Sequence, residues 1–288
     1  MIRAIITTYY PSAEVKSNIL GICGQVDEVI ICDNSPKENS ELFTFECSEQ
    51  IKYIWFGENR GLSRAFNTVL KDDQFAWSDD DYIIYFDQDS SISDGHIGRM
   101  IFEYDTLRAA GHPVGCIGPV FYNTSNGTEE RPKQRTPLSD DSYVVASIIT
   151  SSMLCTYGNM RKIDFWNENI FLDMADWDIC WRMQAAGMLC CMTEVAVLKH
   201  SLGNGEKKIG PLRLRVGSAF REYYQIRECL HLLFRSYTPF KFRIRFLAML
   251  FVRSPLHLLF LGHRKERIKY IALGIRDFFR KEHGELKK

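Results

Sequence analysis

Two carboxylates stand one residue apart at the end of an apolar run in this chain of 288 residues. The motif Asp87-Gln88-Asp89 follows Tyr82–Phe86, a run that is typical of a buried strand. In an extended segment, side chains two positions apart share a face, so the two carboxylates repel each other unless a cation lies beside them. Mg²⁺ and Mn²⁺ bind carboxylate and phosphate oxygens. The motif therefore predicts a divalent-metal site that a diphosphate completes. The alternative is a turn in which Asp89 caps a helix that begins near Ser93.

A second segment, residues 59–67, precedes this motif and reads NRGLSRAFN. Its Gly61 lets a ligand approach the start of a helix closely, and helix N-termini favour anions. Arg60 and Arg64 carry the charge and the length to reach phosphates. The segment indicates a diphosphate-binding helix start, although a well-capped surface helix accounts for the same residues.

A third group of acids lies in residues 171–182, which read FLDMADWDICWR. Asp173 and Asp176 are three residues apart, so both face one side at the start of a predicted helix. Clustered carboxylates raise one another's pKa, which suits a general base that acts on a hydroxyl. Helix capping is the alternative role for both residues. Asp178 and Arg182, four residues apart, are expected to form a structural ion pair.

The elements that must position these residues alternate between strand and helix. Continuous apolar strands of this kind predict a parallel sheet covered on both faces, with ligands outside the carboxyl ends of its strands. Residues 7–10, 33–35 and 87–89 all lie at such ends. Strands are predicted at 2–8, 28–32, 51–56, 82–86, 114–122 and 188–198, β-like structure at 143–156, helices at 12–23, 59–71, 93–110 and 175–186, and a surface loop at 123–142.

Charge divides the chain into two parts whose sum is zero. Residues 1–206 hold 16 Lys and Arg against 30 Asp and Glu, whereas residues 207–288 hold 20 against 6. We expect a catalytic domain at 1–206 and a basic, amphipathic helical region at 207–288.

The apolar stretch 246–262 is interrupted by Arg253, Ser254 and Pro255, and a spanning helix needs about 20 apolar residues. The tail therefore indicates helices that lie on an anionic membrane surface; the alternative is a helical subdomain with solvated charges.

The nine cysteines include no CxxC pair, and several stand inside apolar runs. This usage predicts reduced, buried thiols in a cytosolic protein, without a structural zinc site. The N-terminus turns polar too early for a signal peptide, so the sequons at Asn123 and Asn126 have no expected role.

Taken in order, the motifs TTYYP, ICDNS, NRGLSRAFN, YFDQDS, FLDMADWDICWR and KHSLGN resemble those of family 2 glycosyltransferases of the GT-A fold. Within that family the chain is most similar to bacterial rhamnosyltransferases that build O-antigen and cell-wall rhamnose polymers. The resemblance covers residues 1 to about 205, and a weaker similarity is found in REYYQIR at 221–227. It implies a Rossmann-like α/β fold with a mixed, mostly parallel sheet, helices on both faces and a C-terminal helical extension.

The resemblance also implies roles for single residues. Asp176 matches the family's base position, and Asp173 stands in for the second acid because Ala175 replaces a common Glu. Asp87, Asp89 and His200 match the family's ligands for Mg²⁺ or Mn²⁺. His200 is a candidate ligand only if it lies near Asp89. The implied donor-binding residues are Thr8, Tyr9, Asp33, Asn59, Gly61, Arg64, Asp87 and Gln88.

The implied activity is inverting transfer of L-rhamnose from dTDP-L-rhamnose to a lipid-linked glycan at the cytoplasmic face of the plasma membrane. The QxxRW element of processive synthases does not occur, so one or a few sugars are expected per acceptor. A UDP-sugar donor for galactose or N-acetylglucosamine stays an alternative. A nucleotidyltransferase is disfavoured because it needs a basic, glycine-rich loop after the first strand, and the loop TTYYPSAEVKSN holds no glycine. A non-catalytic, membrane-docked scaffold is disfavoured because Asp87, Asp89, Asp176 and His200 are all present. No nucleic-acid partner is expected, and homo-oligomerisation is left open.

Overall fold

The computed structural model describes residues 1–44, 48–123, 128–132, 134–200, 206–209, 212–215 and 218–286. The chain divides into two compact units. The first, here the sheet unit, holds residues 1–167 and 175–201. The second, here the C-terminal unit, holds residues 168–174 and 202–288. A short segment ahead of the predicted base helix therefore groups with the C-terminal unit.

The sheet unit contains one large sheet and the helices that cover it. Its strands are β1 (Ile2–Thr8), β2 (Glu28–Asp33), β3 (Ile51–Trp55), β4 (Tyr82–Asp87), β5 (Val114–Asn123), β6 (Thr128–Glu130), β7 (Thr136–Pro137), β8 (Ser142–Val144), β9 (Met153–Thr156) and β10 (Leu189–His200). Its helices are α1 (Val15–Cys23), α2 (Gly61–Leu70), α3 (His96–Ala109), α4 (Tyr157–Lys162) and α5 (Ala175–Ala185).

The strand order is β3-β2-β1-β4-β9-β5-β10-β8-β7, with β6 paired to β5. Strands β3, β2, β1 and β4 pair in parallel, and β5 pairs in parallel with β10. Strand β9 lies between β4 and β5 and is antiparallel to both, so those two strands run in the same direction. The mixed, mostly parallel α/β sheet predicted from the sequence is confirmed. The stretch 143–156 differs from the prediction, because it is not one strand but β8, a connecting segment and β9.

Side chains of β4 alternate between two buried faces. Ile84 and Phe86 join the core formed with α1 and α3. Tyr85 points the other way, with its ring 4.6 Å from that of Phe66 on α2 and 5.2 Å from that of Trp166. A strand buried on both sides requires the unbroken apolar run seen in the sequence. The prediction of helices on both faces is confirmed.

The C-terminal unit contains a hairpin and four helices among its described residues. They are β11 (Glu206–Ile209), β12 (Leu212–Arg215), α6 (Arg221–Leu233), α7 (Phe240–Ala248), α8 (Ser254–Phe260) and α9 (Arg264–Phe279), with a π-helical turn at 249–253 between α7 and α8. None of the helices that the structure describes is long and apolar enough to cross a bilayer.

The REYYQIR segment at 221–227 begins α6, and five of its residues, Glu222, Tyr223, Tyr224, Ile226 and Arg227, are buried. Arg227 is fully buried and donates to the Tyr223 hydroxyl and to the Gly284 carbonyl, each at 2.8 Å. Glu222 accepts from Arg267 and lies 3.0 Å from the Nδ1 atom of His257. Buried charges are tolerated where such partners satisfy them. The motif therefore organises the interior of the C-terminal unit.

The eight cysteines that the structure describes are buried and free, as the sequence predicts, and Cys47 lies outside the described residues. Three of them meet in the core, since the Sγ atoms of Cys116, Cys180 and Cys190 lie within 4.8 Å of one another. Two of these thiols face backbone carbonyls, because Cys190 Sγ lies 3.4 Å from the Cys180 carbonyl and Cys180 Sγ lies 4.0 Å from that of Ile148. The three side chains fill the core as small apolar groups.

Candidate active site

Four strand ends meet in register at one edge of the sheet. Thr8 on β1 pairs with Asp33 on β2, and Thr7 pairs with Asp87 on β4. Asp33 in turn pairs with Trp55 at the end of β3. The polar residues predicted to converge are therefore neighbours at the edge where open α/β sheets bind ligands.

Three carboxylates crowd this edge. Burial, together with the neighbouring charges of Asp176 and Asp89, raises the pKa of Asp87 to about 7. Within the described part of the chain, no Lys or Arg forms an ion pair with Asp87 or Asp89. Oxygen ligands with uncompensated negative charge fit a hard divalent cation such as Mg²⁺ or Mn²⁺. His200 ends β10, but its side chain lies outside the described residues.

The capping alternative for Asp89 is wrong. Helix α3 begins at His96, and its N-cap is Gly95, which makes no side-chain capping bond and adopts a φ of +68°. Asp89 is exposed and lies six residues before that position. The acid pair is therefore not explained by the start of this helix.

Asp176 lies in the first turn of α5, where the field of the helix dipole favours a carboxylate. Its Oδ1 atom accepts a hydrogen bond from the backbone N–H of Thr150 at 3.1 Å and another from the Thr150 hydroxyl. Asp178 and Arg182 form the predicted structural pair, with an N–O distance of 3.7 Å.

Asp173 has different surroundings from Asp176. It precedes α5, belongs to the C-terminal unit and pairs with Arg221 at 2.7 Å. Burial raises the pKa of Asp173 even though Arg221 opposes the shift. The structure thus gives Asp173 a partner of its own, and a catalytic role for this residue stays a prediction.

The loop after β1 is tied to the acid motif. The Gln88 side chain accepts from the Tyr9 backbone N–H at 2.8 Å, and its amide group lies 3.3 Å from the Tyr9 carbonyl. Tyr10 adopts a φ of +48° and donates its N–H to the Ser35 hydroxyl. Gln88 therefore holds the segment of Tyr9 beside the strand end, rather than extending into solvent.

Asp33 organises the loop after β2. Its carboxylate accepts from the Ser35 N–H, the Asn39 amide and the Tyr53 hydroxyl at 2.7–2.9 Å. Burial pushes the pKa of Asp33 upward, but these hydrogen bonds outweigh it and the net pKa is below the ordinary value. Such an anchored carboxylate shapes this end of the edge.

Two features of this end were not found from the sequence. The Trp55 ring is half-exposed beside Asp33 and is held by a 2.8 Å hydrogen bond from its Nε1 atom to the Ser35 carbonyl. The Thr8 hydroxyl is buried and has no hydrogen-bond partner among the described residues. Apolar periodicity cannot identify either feature, because both depend on which strand lies beside which.

Helix α2 starts in the way the second motif predicts. Gly61 begins the helix with a φ of +72°, which favours glycine. The Asn59 side chain accepts the Gly61 N–H, and the Asn34 side chain accepts the Arg60 N–H, each at 3.0 Å. Arg64 is exposed on this helix. The start of α2 is therefore anchored to the loop after β2, next to the strand edge.

The comparisons with known proteins agree with this fold. A protein-family model described as glycosyl transferase family 2 matches residues 4–166. The chain is similar to the dTDP-rhamnosyl transferase RfbF of Shigella flexneri, with 24% identity over 94% of this chain and 91% of that protein.

Solved structures show the same architecture at low identity. The chain resembles GalNAc-T7 with UDP, GalNAc and Mn²⁺ (TM-score 0.53, 9% identity, 89% of this chain and 57% of that one). It also resembles TarS of S. aureus (TM-score 0.54, 13% identity, 97% and 49%) and TarS 1–349 (0.52, 13%, 97% and 80%). It spans about half the length of GalNAc-T7 and of the longer TarS chain. These likenesses show the GT-A fold.

Proposed function

The chain belongs to glycosyl transferase family 2, and on that premise we propose that it is an inverting rhamnosyltransferase. It transfers L-rhamnose from dTDP-L-rhamnose to a hydroxyl of a lipid-linked glycan in bacterial surface polysaccharide synthesis. The observation that carries the proposal is the group of three carboxylates, Asp87, Asp89 and Asp176, at the strand edge. The choice of donor rests on the similarity to a protein named as a dTDP-rhamnosyl transferase.

Asp87 and Asp89 are proposed to hold Mg²⁺ or Mn²⁺, with His200 as a further ligand. When bound, the ion neutralises charge that develops on the leaving nucleoside diphosphate. The raised pKa of Asp87, caused by burial and then by Asp176 and Asp89, supports this assignment, because these acids need positive charge nearby. The structure of GalNAc-T7 that this fold resembles contains Mn²⁺.

The remaining donor contacts are proposed along the same edge. The exposed rings of Tyr9 and Trp55 offer stacking surfaces for the base near Thr8 and Asp33. The start of α2 lies at the diphosphate position, where the N–H groups of its first turn that follow Gly61 favour an anion, and Arg64 adds charge. The anchored Asn59 and Asn34 side chains hold this helix start in place before the donor binds.

Asp176 is proposed to act as the general base. Its carboxylate takes the proton of the acceptor hydroxyl while that oxygen bonds to the anomeric carbon. The bond from this carbon to the diphosphate oxygen breaks on the opposite face, and the electron pair leaves with the nucleoside diphosphate. Attack opposite the leaving group inverts the anomeric configuration. Holding both sugars in this geometry removes a large part of the entropic barrier.

One experiment tests the reaction and the donor. Purified protein with Mg²⁺ is given dTDP-L-rhamnose, UDP-galactose or UDP-N-acetylglucosamine together with a short lipid-linked acceptor, and products are read by mass spectrometry. A mass increase of one deoxyhexose supports the proposal. Transfer from a UDP-sugar alone establishes the other donor class, and donor binding without any transfer establishes a scaffold.

The variant Asp176→Asn tests the base. The amide oxygen still accepts from Thr150, so the loop keeps its hydrogen bonds while the basic group is lost. We expect kcat to fall by about 100-fold or more, with the donor KM unchanged. Asp178→Asn, two residues further along α5, is the matched control. It breaks the structural pair with Arg182, so it should lower Tm and have a smaller effect on kcat. An Asp176→Asn protein with wild-type kcat would refute the assignment.

We also propose attachment to an anionic membrane surface through the C-terminal unit. Helix α7 and the turn after it expose Phe240, Ile244, Leu247 and Phe251, which recur at helical spacing and form one apolar stripe. Helix α9 exposes Ile268, Ile275 and Phe279 in the same manner. The segment that contains both stripes is strongly basic, since residues 207–288 hold 20 lysines and arginines against 6 acids. Apolar stripes with basic flanks suit the lipid interface of the cytoplasmic leaflet.

A further inference from the structure

Three consecutive hydroxyl residues, Thr150, Ser151 and Ser152, form a buried turn just before β9, which we call the hydroxyl turn. The turn is closed by a 2.9 Å hydrogen bond from the Met153 N–H to the Thr150 carbonyl. Ser152 has a φ of +64°, an uncommon conformation for a residue with a Cβ atom. The three side chains are at most 3% exposed. Buried hydroxyls are costly unless they are hydrogen-bonded, so their partners explain the turn.

Each hydroxyl contacts a different element of the sheet unit. The Thr150 hydroxyl donates to Asp176 at the start of α5. The Ser151 hydroxyl is hydrogen-bonded to that of Ser90, the residue after Asp89. The Ser152 hydroxyl lies 2.7 Å from the Nε2 atom of His96 on α3. The turn thus connects the proposed base, the proposed metal motif and the buried first residue of α3.

The backbone places the turn beside the acid pair. Met153 pairs with Tyr85 in the antiparallel ladder of β9 and β4, and the Ser152 N–H donates to the Tyr85 carbonyl at 2.6 Å. Asp87 follows Tyr85 by two residues on the same face of β4. The turn therefore lies where β4 ends, and it is bonded to both sides of the acidic site.

We propose that the hydroxyl turn is the positioning element that sets Asp176 against Asp87 and Asp89, with Thr150 orienting the base. The proposal rests on the base role of Asp176 given above. Two donors on one oxygen, the N–H and the hydroxyl of Thr150, fix the rotation of the Asp176 carboxylate. Ser151 fixes the chain directly after Asp89 through Ser90. Misplacement of reacting groups by about 1 Å lowers rates about 100-fold, so such fixing has a kinetic effect.

Thr150→Val tests this role, because valine keeps the shape and the backbone N–H but removes the hydroxyl. We expect kcat to fall about 10-fold to 100-fold, with the donor KM unchanged. Thr150→Ser restores the hydroxyl and should recover kcat to within about threefold of wild type. Rescue by serine distinguishes orientation of the base from simple packing.

Thr156→Val is the matched control. Thr156 is a buried threonine at the other end of β9, where it caps α4 by accepting the Asn159 N–H. Its loss should lower Tm and leave kcat within about twofold. The proposal is overturned if Thr150→Val keeps wild-type kcat, or if Thr150→Val and Thr156→Val lose kcat and Tm to the same extent. Asp176→Asn separates the base role of Asp176 from the positioning role of the hydroxyl turn. If Asp176→Asn is fully active, the base assignment fails. If Asp176→Asn is inactive while Thr150→Val is fully active, only the positioning role fails.

Discussion

Glu228 accepts the backbone N–H of Asp173 at 2.8 Å, across 55 residues of sequence. Its two oxygens also accept the N–H groups of Phe171, Leu172 and Met174 at 2.9–3.2 Å. One fully buried carboxylate on α6 thus holds four consecutive amides of the segment that continues into α5. The C-terminal unit therefore fixes the residues immediately before Ala175 and Asp176.

We expect Glu228→Ala to destabilise the protein by about 3 kcal/mol or more, because one buried and three part-buried N–H groups lose their acceptor. Thermal unfolding followed by circular dichroism measures the loss as a lower Tm. Glu266→Ala, at an exposed glutamate on α9, is the control and should change stability by less than about 0.5 kcal/mol. Equal Tm values for both variants would show that the four hydrogen bonds contribute nothing.

Removal of the metal should abolish transfer. EDTA should stop the reaction and added Mg²⁺ or Mn²⁺ should restore it, because Asp87 and Asp89 lack a cationic partner among the described residues. Asp89→Asn should weaken Mn²⁺ binding in the presence of dTDP by about 10-fold or more, as measured by calorimetry. Asp94→Asn, an exposed acid on the same loop, should bind Mn²⁺ like wild type. Full activity after exhaustive EDTA treatment would contradict the metal site.

Membrane attachment should depend on the apolar stripe of α7. Vesicles with about 30% anionic lipid provide the test surface. We expect the double variant Phe240→Ser, Phe251→Ser to bind them about 100-fold more weakly, because each lost ring weakens binding about tenfold. Sedimentation with vesicles measures the difference, and neutral vesicles should bind weakly from the start. Phe102→Ser on α3 is the matched control, because Phe102 is 73% exposed against 74% and 75% for the two stripe residues. Unchanged binding of the double variant would leave the stripe without a lipid role.

Acid should destabilise the sheet unit through His96. Burial, together with the charge of Arg99, lowers the pKa of His96 from 6.5 to about 4. The unfolded chain therefore binds a proton that the folded chain excludes, and stability falls as the pH drops from about 6.5 towards about 4. The loss should reach about 2 kcal/mol at pH 5. His96→Gln should remove this part of the pH dependence in urea unfolding, and an identical slope for variant and wild type would refute it.

Local pattern was sufficient to predict the parallel strands of the sheet and the edge at which their polar ends meet. The apolar runs of β1, β2 and β4, each followed at once by polar residues, predict parallel strands whose carboxyl ends share an edge, and the register of Thr8 with Asp33 and of Thr7 with Asp87 agrees. The glycine at position 61 likewise predicts the start of α2. These predictions succeed because alternation of side chains and helix-start chemistry act within a few residues of the chain.

The sequence by itself determined the strand ends, the acid pair and the basic, apolar tail. Only the tertiary structure decided what surrounds them. Insertion of β9 between β4 and β5 brings Ser151 to Ser90 and Thr150 to Asp176, and α6 gives Asp173 a partner apart from Asp176. Such contacts join segments 26 to 61 residues apart, and hydrogen bonds between distant segments leave no periodic trace in the residues that make them. Their selection depends on which strand lies beside which, and that is fixed by the packing of the whole sheet.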